Sequence, residues 1–459
     1  RIAVMNIYII NNPFHYEIEN LTRAFFNNEK MNVIKCDKNV NREKPFVAIE
    51  LIKHEKDSDI IVSFADEDFE KTLSKKIDGE FDSEYSECER MAAIMLFEIL
   101  SEYTSIRLPW GILTGVRPIK LLHNLVRELG TDGADKYFRE KLLVTEQKTK
   151  LALTTEKNER KILELSKPDS FSLYISVPFC PTRCSYCSFV SQSIEKAKKL
   201  VEPYLDLLCQ EIKYTAEIAK ELNLRLETVY IGGGTPTTFS AEQLTKLITA
   251  INASFDMKKC REFTIEAGRP DTITREKLEA ILDGGCDRIS INPQTLNDEV
   301  LEAIGRRHTA TQTLEAYKLA EEIGFKHINM DLITGLPKDT PETFKYTLDT
   351  LCDLSPASIT VHTLAMKRSS FLTLGGALVK TGAEPPAAIM MKYCEEKLPQ
   401  FGYHPYYLYR QSRMEGNLEN VGWSKDGFDG LYNVYVMDET HTILACGAGG
   451  VSKLREPGV

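Results

Sequence analysis

The chain has 459 residues, 42% of them hydrophobic and 27% charged, which is ordinary for a globular protein with a full-sized core and room for two or three domains. Its formal net charge of −10 argues against a nucleic-acid partner, which wants a basic face, and no apolar run reaches the roughly 18 residues of a membrane span. The first residues carry no secretory-signal pattern, and eleven cysteines, eight of them scattered singly, are no disulfide framework; a reducing cytoplasm is the expected compartment. The sequence leaves open whether either terminus is natural.

Residues 1–105 mix short β-like runs with charged stretches. Ile2–Val4, Ile7–Ile10 and Phe46–Ile52 read as strands, and Glu87–Tyr103 has helical apolar spacing. This is expected to be an N-terminal α+β accessory domain. Residues 106–170 read as a helical connector, with helices at Pro118–Glu128 and Glu146–Leu165 and a shorter run at Asp135–Lys141. The string Trp110-Gly111-Ile112-Leu113-Thr114-Gly115-Val116-Arg117-Pro118 has two readings: a turn that starts a helix at Pro118, or a docking or substrate-contact loop.

Residues 171–375 alternate apolar strands with amphipathic helices. The strands are Leu173–Val177, Thr228–Ile231, Glu262–Glu266, Arg288–Ile291, His327–Ile333 and Ser358–Thr363. The helices lie near Val201–Asn223, Ala241–Ser254, Arg275–Gly284, Thr309–Ile323 and Pro341–Leu354. Such alternation specifies a parallel sheet. Six units fall short of the eight of a closed barrel, so a partial (β/α)6 barrel is expected, with its active site at the strands' C-terminal ends. Residues 376–459 read as a C-terminal α+β cap: a helix at Ala387–Gln400, then hairpins, with Leu431–Met437 and His441–Cys446 flanking a turn.

Three cysteines cluster directly after the first barrel strand, as Cys180-Pro181-Thr182-Arg183-Cys184-Ser185-Tyr186-Cys187. Three thiolates on one tight loop can ligate three irons of a [4Fe–4S] cubane. The fourth iron stays open for S-adenosylmethionine (SAM), whose reductive cleavage yields a 5′-deoxyadenosyl radical. A structural zinc site would use four ligands, and no fourth Cys or His lies nearby. Other strand ends add polar groups. Gly232-Gly233-Gly234-Thr235 follows strand two, where glycines let backbone approach a ligand. Glu266 ends strand three and can bind the SAM ammonium or ribose. Gln294 follows strand four, and Arg306 beyond it can pair with the SAM carboxylate. Asp331 lies on strand five, suited to ribose hydroxyls. One polar group on nearly every strand end is what a bound cofactor requires. His308, His327 and His362 are each open to a packing role or a ligand role.

The Tyr-x-x-x-Pro-Phe-Cys-x3-Cys-x2-Cys loop with Gly-Gly-Gly-Thr-Pro-Thr is similar to radical SAM proteins of the oxygen-independent coproporphyrinogen III dehydrogenase type. The Trp110–Pro118 string with Ile119–His123, and the tail from Leu408 to Gly422, resemble its HemZ-type branch. The resemblance implies that Cys180, Cys184 and Cys187 hold the cluster and that Tyr174 stands beside cluster and SAM as a catalytic residue. It implies that Tyr186 packs on the adenine, and that Gly233, Gly234 and Thr235 give backbone contacts to the first SAM. Glu266, Gln294, Arg306 and Asp331 match its polar contacts, and Ala365 a contact near a second SAM. Two departures weaken the second SAM and the substrate: Ser176 stands where the family has His, and Phe189 where many members have a fourth Cys.

The resemblance makes oxidative decarboxylation of coproporphyrinogen III to protoporphyrinogen IX the expected activity, with flavodoxin or ferredoxin as electron donor. Lys367, Arg368 and Arg410 are candidate partners for the substrate carboxylates. A heme-binding chaperone is the alternative. Its branch carries a His-Asn pair before an aromatic, and Gly416–Trp423 has no His. A radical SAM enzyme modifying another tetrapyrrole, such as heme, is a third reading.

Overall fold

The structure, a computed structural model, describes residues 4–26, 29–37, 40–81, 83–365, 384–411 and 414–455. These residues form two compact units. The first runs to Leu153 and includes 384–388 and Arg410–Glu419 among the described residues. Its sheet has strands β1 (Val4–Ile10), β2 (Lys30–Cys36), β3 (Phe46–Lys53), β4 (Asp57–Ala65) and β5 (Glu70–Asp78), in the order β2-β1-β3-β4-β5. The first three are parallel and the last two antiparallel. Helices α1 (His15–Phe25) and α2 (Tyr85–Thr104) cover it. Ile7, Ile9, Val47, Ile49, Val62 and Phe64 of the sheet share one core with Ile18, Leu21, Leu96 and Phe97 of the helices. Each such side chain contributes about 1.5–3 kcal/mol by leaving water.

Helix α3 (Pro118–Lys136) and the start of α4 (Glu146–Leu163) belong to this unit. The Trp110–Pro118 string is the turn that begins α3. Trp110 is fully buried and its indole N–H donates to Glu419 Oε2 at 2.6 Å, while Lys148 pairs with the other oxygen of Glu419. Gly111 has φ +56, and a Cβ there would stand 2.1 Å from the Leu142 carbonyl oxygen, so only glycine fits.

The second unit takes the rest of the described chain. Its strands are β6 (Ser170–Val177), the short β7 (Phe179–Cys180) and β8 (Gln192–Ser193), then β9 (Arg225–Gly233), β10 (Glu262–Glu266), β11 (Arg288–Ser290), β12 (His327–Thr334) and β13 (Ser358–Thr363). Between them come α5 (Ile194–Ala197), α6 (Val201–Glu221), α7 (Ala241–Ser254), α8 (Arg275–Asp283), α9 (Asp298–Ala303), α10 (Ala310–Ile323) and α11 (Pro341–Leu354). After β13 follow α12 (Pro386–Lys397), β14 (His404–Tyr409), β15 (Asn420–Ser424), α13 (Leu431–Asp438) and β16 (Thr442–Cys446). Strands β6, β9, β10, β11, β12 and β13 pair in chain order and in parallel, the six-unit partial barrel expected from the alternation. Reciprocal capping boxes start α7, α10 and α11, where Ser240, Thr309 and Thr340 satisfy otherwise orphaned N–H groups.

The C-terminal residues extend this sheet on both edges. β15 and β14 add antiparallel strands beside β13, and β16 lies parallel to β6, with Thr442 opposite Phe171 and Cys446 opposite Ile175. This corrects the hairpin expected around 431–446: Leu431–Asp438 is a helix and β16 pairs with a strand far away in sequence. The β-forming composition of Leu431–Met437 points to a strand, but tertiary contacts override it. The Glu262 carboxylate accepts from the backbone N–H groups of Leu431 (2.7 Å) and Tyr432 (3.2 Å), capping α13 at its positive end. Arg288, which opens β11, donates to the Phe428 carbonyl at 2.8 Å. Both residues begin barrel strands, so this segment sits at the strands' N-terminal ends, and the opposite mouth carries the cysteine loop.

Candidate cofactor site at the strand ends

Cys180 closes β7, three residues past β6, and β7 is held by its pairing with β8. The neighbouring glycine run packs against this arm. Gly233 has φ +105, and a Cβ on Gly234 would lie 2.6 Å from the Phe179 carbonyl oxygen. The N–H groups of Gly234 and Thr235 donate to the carbonyls of Val177 (2.8 Å) and Phe179 (2.7 Å). Thr235 is buried and turns its hydroxyl to Cys180 Sγ at 3.6 Å. The glycines therefore join the end of β9 to the cysteine arm, a packing role that the sequence reading did not include.

Cys184 is buried, while Cys180 and Cys187 are half-buried. The Cys187 N–H donates to the Cys184 carbonyl at 3.2 Å, and the Ser185 N–H to that of Ile304 at 3.0 Å. Burial, and then the neighbouring thiols, push Cys180 and Cys187 above the ordinary thiol range; binding as thiolates needs a cationic partner. Among the described residues, no three His, Cys, Asp or Glu side chains stand ready as a metal-chelating group. The three thiols nonetheless share one loop and would fit as the donor set of a cluster that leaves one iron open.

Arg306 is buried. It donates to the carbonyls of Asn292 (2.5 Å) and Gly268 (3.4 Å) and to the Tyr186 hydroxyl (3.2 Å). Among the described residues it meets no carboxylate, and its Nε has no hydrogen-bond partner. Gln294 is buried at φ +66 with Oε1 likewise unpartnered. Its peptide is pinned to β12 by the Gln294 N–H to Asp331 carbonyl bond at 2.9 Å and the Ile333 N–H to Gln294 carbonyl bond at 3.1 Å. A buried cation without an anion and a buried amide oxygen without a donor are costly as they stand. A ligand bearing a carboxylate and N–H groups fits both.

Glu266 ends β10 and accepts from the Tyr230 hydroxyl at 2.7 Å. Burial, with Asp331 nearby, lifts its carboxyl to about 7, against the pull of Tyr230 and His362. Asp331 accepts from Asn329 Nδ2 at 2.7 Å and faces His362 Nε2 at 3.7 Å. Asp331 and His362 thus stand on the neighbouring strands β12 and β13, with Glu266 on β10 close enough to feel both. Tyr174 lies parallel to Tyr230 and Tyr432, with ring centroids 6.2 Å from each. Tyr186 packs on Val300, Leu301, Ile304, Ile333, Leu336 and Leu364. Ala365 is half-buried just past β13, next to Leu364, whose N–H donates to the Thr334 carbonyl at 3.0 Å.

Other candidates fall elsewhere. Arg410 is buried in the first unit, where its guanidinium is taken up by the carbonyls of Leu113, Gly115 and Asn417 and lies 5.6 Å over the Trp110 ring; it is not a partner for a substrate carboxylate. Lys367 and Arg368 lie outside the described residues. His327 packs on Phe428 at 4.7 Å near the opposite end of the strands. Sequence reasoning missed Arg269, Asp271 and the Gly447–Gly450 loop. That loop follows β16, and the Ser176 hydroxyl donates to the Ala448 carbonyl at 2.8 Å. Its three glycines were the available signal.

The model of the radical SAM superfamily matches residues 174–351, the stretch that carries the cysteine loop and strands β9 to β12. The oxygen-independent coproporphyrinogen-III oxidase-like protein HemZ of Bacillus subtilis is 39% identical over 375 residues, covering 80% of this chain and 74% of HemZ. The heme chaperone HemW of the same organism is 35% identical over 269 residues, covering 57% of this chain and 69% of HemW. The structure of the Escherichia coli coproporphyrinogen III oxidase HemN, described as a radical SAM enzyme, superposes with a TM-score of 0.51 at 24% identity, covering 64% of this chain and 67% of that one; this likeness concerns the fold. The chain belongs to the HemN/HemZ-type family of radical SAM proteins, whose cofactors are a [4Fe–4S] cluster and SAM. No helix among the described residues is long and apolar enough to cross a membrane.

Proposed function

We propose that this protein decarboxylates propionate side chains of coproporphyrinogen III oxidatively, without oxygen, to give protoporphyrinogen IX. In this reading Cys180, Cys184 and Cys187 hold the cluster. Gly233, Gly234, Thr235, Glu266, Gln294, Arg306 and Asp331 bind SAM, Tyr186 supports its adenine, and Tyr174 flanks the reacting centre. Ala365 borders a second SAM. The observation that carries the reading is Arg306: a buried guanidinium beside the cysteine loop, without a carboxylate, is matched by the carboxylate of SAM. The choice of tetrapyrrole rests on the likeness to HemZ over most of both chains.

The cluster and SAM together supply a carbon radical able to take a hydrogen atom from a substrate carbon. The protein's own residues bind and orient. Arg306 fixes the SAM carboxylate, ionised Glu266 faces its ammonium, and the peptide of Gln294 holds the ligand at β12. The strand-end pocket keeps water from the reacting carbon. Transfer of a propionate β-hydrogen to the 5′-deoxyadenosyl carbon would give 5′-deoxyadenosine, and loss of CO2 with passage of one electron to an external one-electron acceptor would leave a vinyl group. The starting electron comes from a flavodoxin or ferredoxin in this reading.

A second reading, heme carriage, is favoured by the 35% identity to HemW. One anaerobic experiment separates the two. Reconstituted protein is given dithionite, SAM and coproporphyrinogen III, and 5′-deoxyadenosine and tetrapyrroles are followed by mass spectrometry. Substrate-dependent 5′-deoxyadenosine with stepwise loss of two carboxyl groups is expected. SAM cleavage without a porphyrin product, together with stoichiometric heme binding, would replace the oxidase reading with the carrier.

A further inference from the structure

Beside the cysteine loop stands a charged group that SAM binding does not use. Arg269, three residues past Glu266, is 3% exposed. Its Nη1 lies 4.0 Å from Cys184 Sγ and 3.1 Å from Thr182 Oγ1. Nε and Nη2 each donate to one oxygen of Asp271 at 3.0 Å, a two-point fork that fixes the plane of the guanidinium. Asp271 in turn lies 3.6 Å from Nδ1 of buried His308. Thr182 is tied to the far side of the site, its hydroxyl donating to the Gly305 carbonyl at 3.0 Å.

The order of these contacts matters. Asp271 grips Nε and Nη2, so Nη1, which also donates to Thr182, is the corner that meets the sulfur. The ion pair therefore presents its positive end to Cys184 and its negative end away from it. A hydrogen-bond donor and a positive charge on a cluster sulfur favour the more negative, reduced cluster. Arg306 also interacts with the Cys184 thiol, but its hydrogen bonds otherwise go to Asn292, Gly268 and Tyr186 and no carboxylate fixes it. Among the described residues near the cysteine loop, Arg269 is the one that combines contact with a cysteine sulfur and a carboxylate that locks its orientation.

We infer that Arg269, held by Asp271, is a positioning residue that sets the reduction potential of the cluster through the Cys184 sulfur. It rests on the assignment of the cluster to the three thiols. The step concerned is the addition of one electron to the oxidised [4Fe–4S]2+ cluster to give the [4Fe–4S]1+ state, and Arg269 stabilises the product without giving or taking a proton.

The test is an electron-paramagnetic-resonance titration of the reconstituted full chain without substrate, with dithionite as reductant, alongside iron and sulfide content. Arg269→Gln is expected to keep its iron while the reduced-to-oxidised ratio at fixed potential falls about tenfold, a shift of about 59 mV for a one-electron couple. Arg269→Lys keeps the charge without the fork and should recover part of the shift, and Asp271→Asn, which leaves the guanidinium charge uncompensated, should move the potential in the opposite direction to Arg269→Gln. Wild-type potentials in Arg269→Gln with full iron would overturn the inference. If Arg269→Gln fails to take up iron, Asp271→Asn decides, and an unmoved potential there overturns it equally. Retention of a normal cluster in Cys184→Ser would instead defeat the ligand assignment, a separate outcome.

Discussion

The Tyr230 hydroxyl donates to Glu266 Oε1 across 2.7 Å, and the same carboxyl is the acid that ends β10 at the mouth carrying the cysteine loop. With its carboxyl lifted to about 7 by burial first and Asp331 second, Glu266 is protonated below that pH and can face the SAM ammonium as an anion only above it. SAM affinity is therefore expected to rise about tenfold between pH 6 and 8, following the ionised fraction. Equilibrium dialysis of the reconstituted protein measures it. Glu266→Gln should flatten the profile at the low value while iron content stays intact; a wild-type profile in that variant would remove Glu266 from the SAM site.

Cys184 is the buried thiol of the three. Cys184→Ser should lose the cluster's visible absorbance and all reductive cleavage of SAM. Cleavage at the wild-type rate in that variant would contradict the assignment of the cluster to this loop.

Gly234 stands where a Cβ would come within 2.6 Å of the Phe179 carbonyl oxygen and 2.9 Å of its nitrogen. Gly234→Ala must push the cysteine arm away from the strand end, a strain of about 1–3 kcal/mol. The expected result is a lower melting temperature together with reduced iron uptake after reconstitution. A variant that melts lower yet fills with iron normally would show that the arm and the glycine run act independently.

His441 carries a pH dependence of stability. Its Nδ1 and Nε2 are matched by the hydroxyls of Ser166 (2.9 Å) and Ser172 (2.8 Å). Burial first, then nearby arginines, push it down to about 4. A base whose folded pKa is depressed loses no stability above its unfolded value near 6.5; below it the unfolded chain takes up a proton that the folded chain refuses. Stability should thus fall by on the order of 2–3 kcal/mol from pH 6.5 to pH 4. Urea unfolding at a series of pH values reads this, and His441→Gln should lose that part of the slope.

The barrel was legible because its units announce themselves by apolar strands, and several of them again by a capped helix. Ala241–Ser254 and Pro341–Leu354 match their expected bounds, since Ser240 and Thr340 fix the starts chemically. What failed was long-range. Nothing local in Leu431–Met437 shows that Glu262 caps that segment, and nothing in Thr442–Cys446 reveals β6 as its partner. In the first unit, β5 reads as solvated because Lys71, Lys75 and Lys76 blunt an edge strand. At the site, the cysteine spacing was visible, but Arg269 and Asp271 look like an ordinary turn until the fold brings them to Cys184.

The pairing of β16 with β6 has a consequence in time. Ser172 and its partner His441 lie 269 residues apart, so at translation speeds of about 5–20 residues per second the cysteine loop leaves the ribosome tens of seconds before its neighbouring strand. During that interval three thiols hang on a sheet with one bare edge. A nonsense mutation that spared Cys180, Cys184 and Cys187 but removed β16 would leave β6 as a bare edge strand beside the cysteine loop.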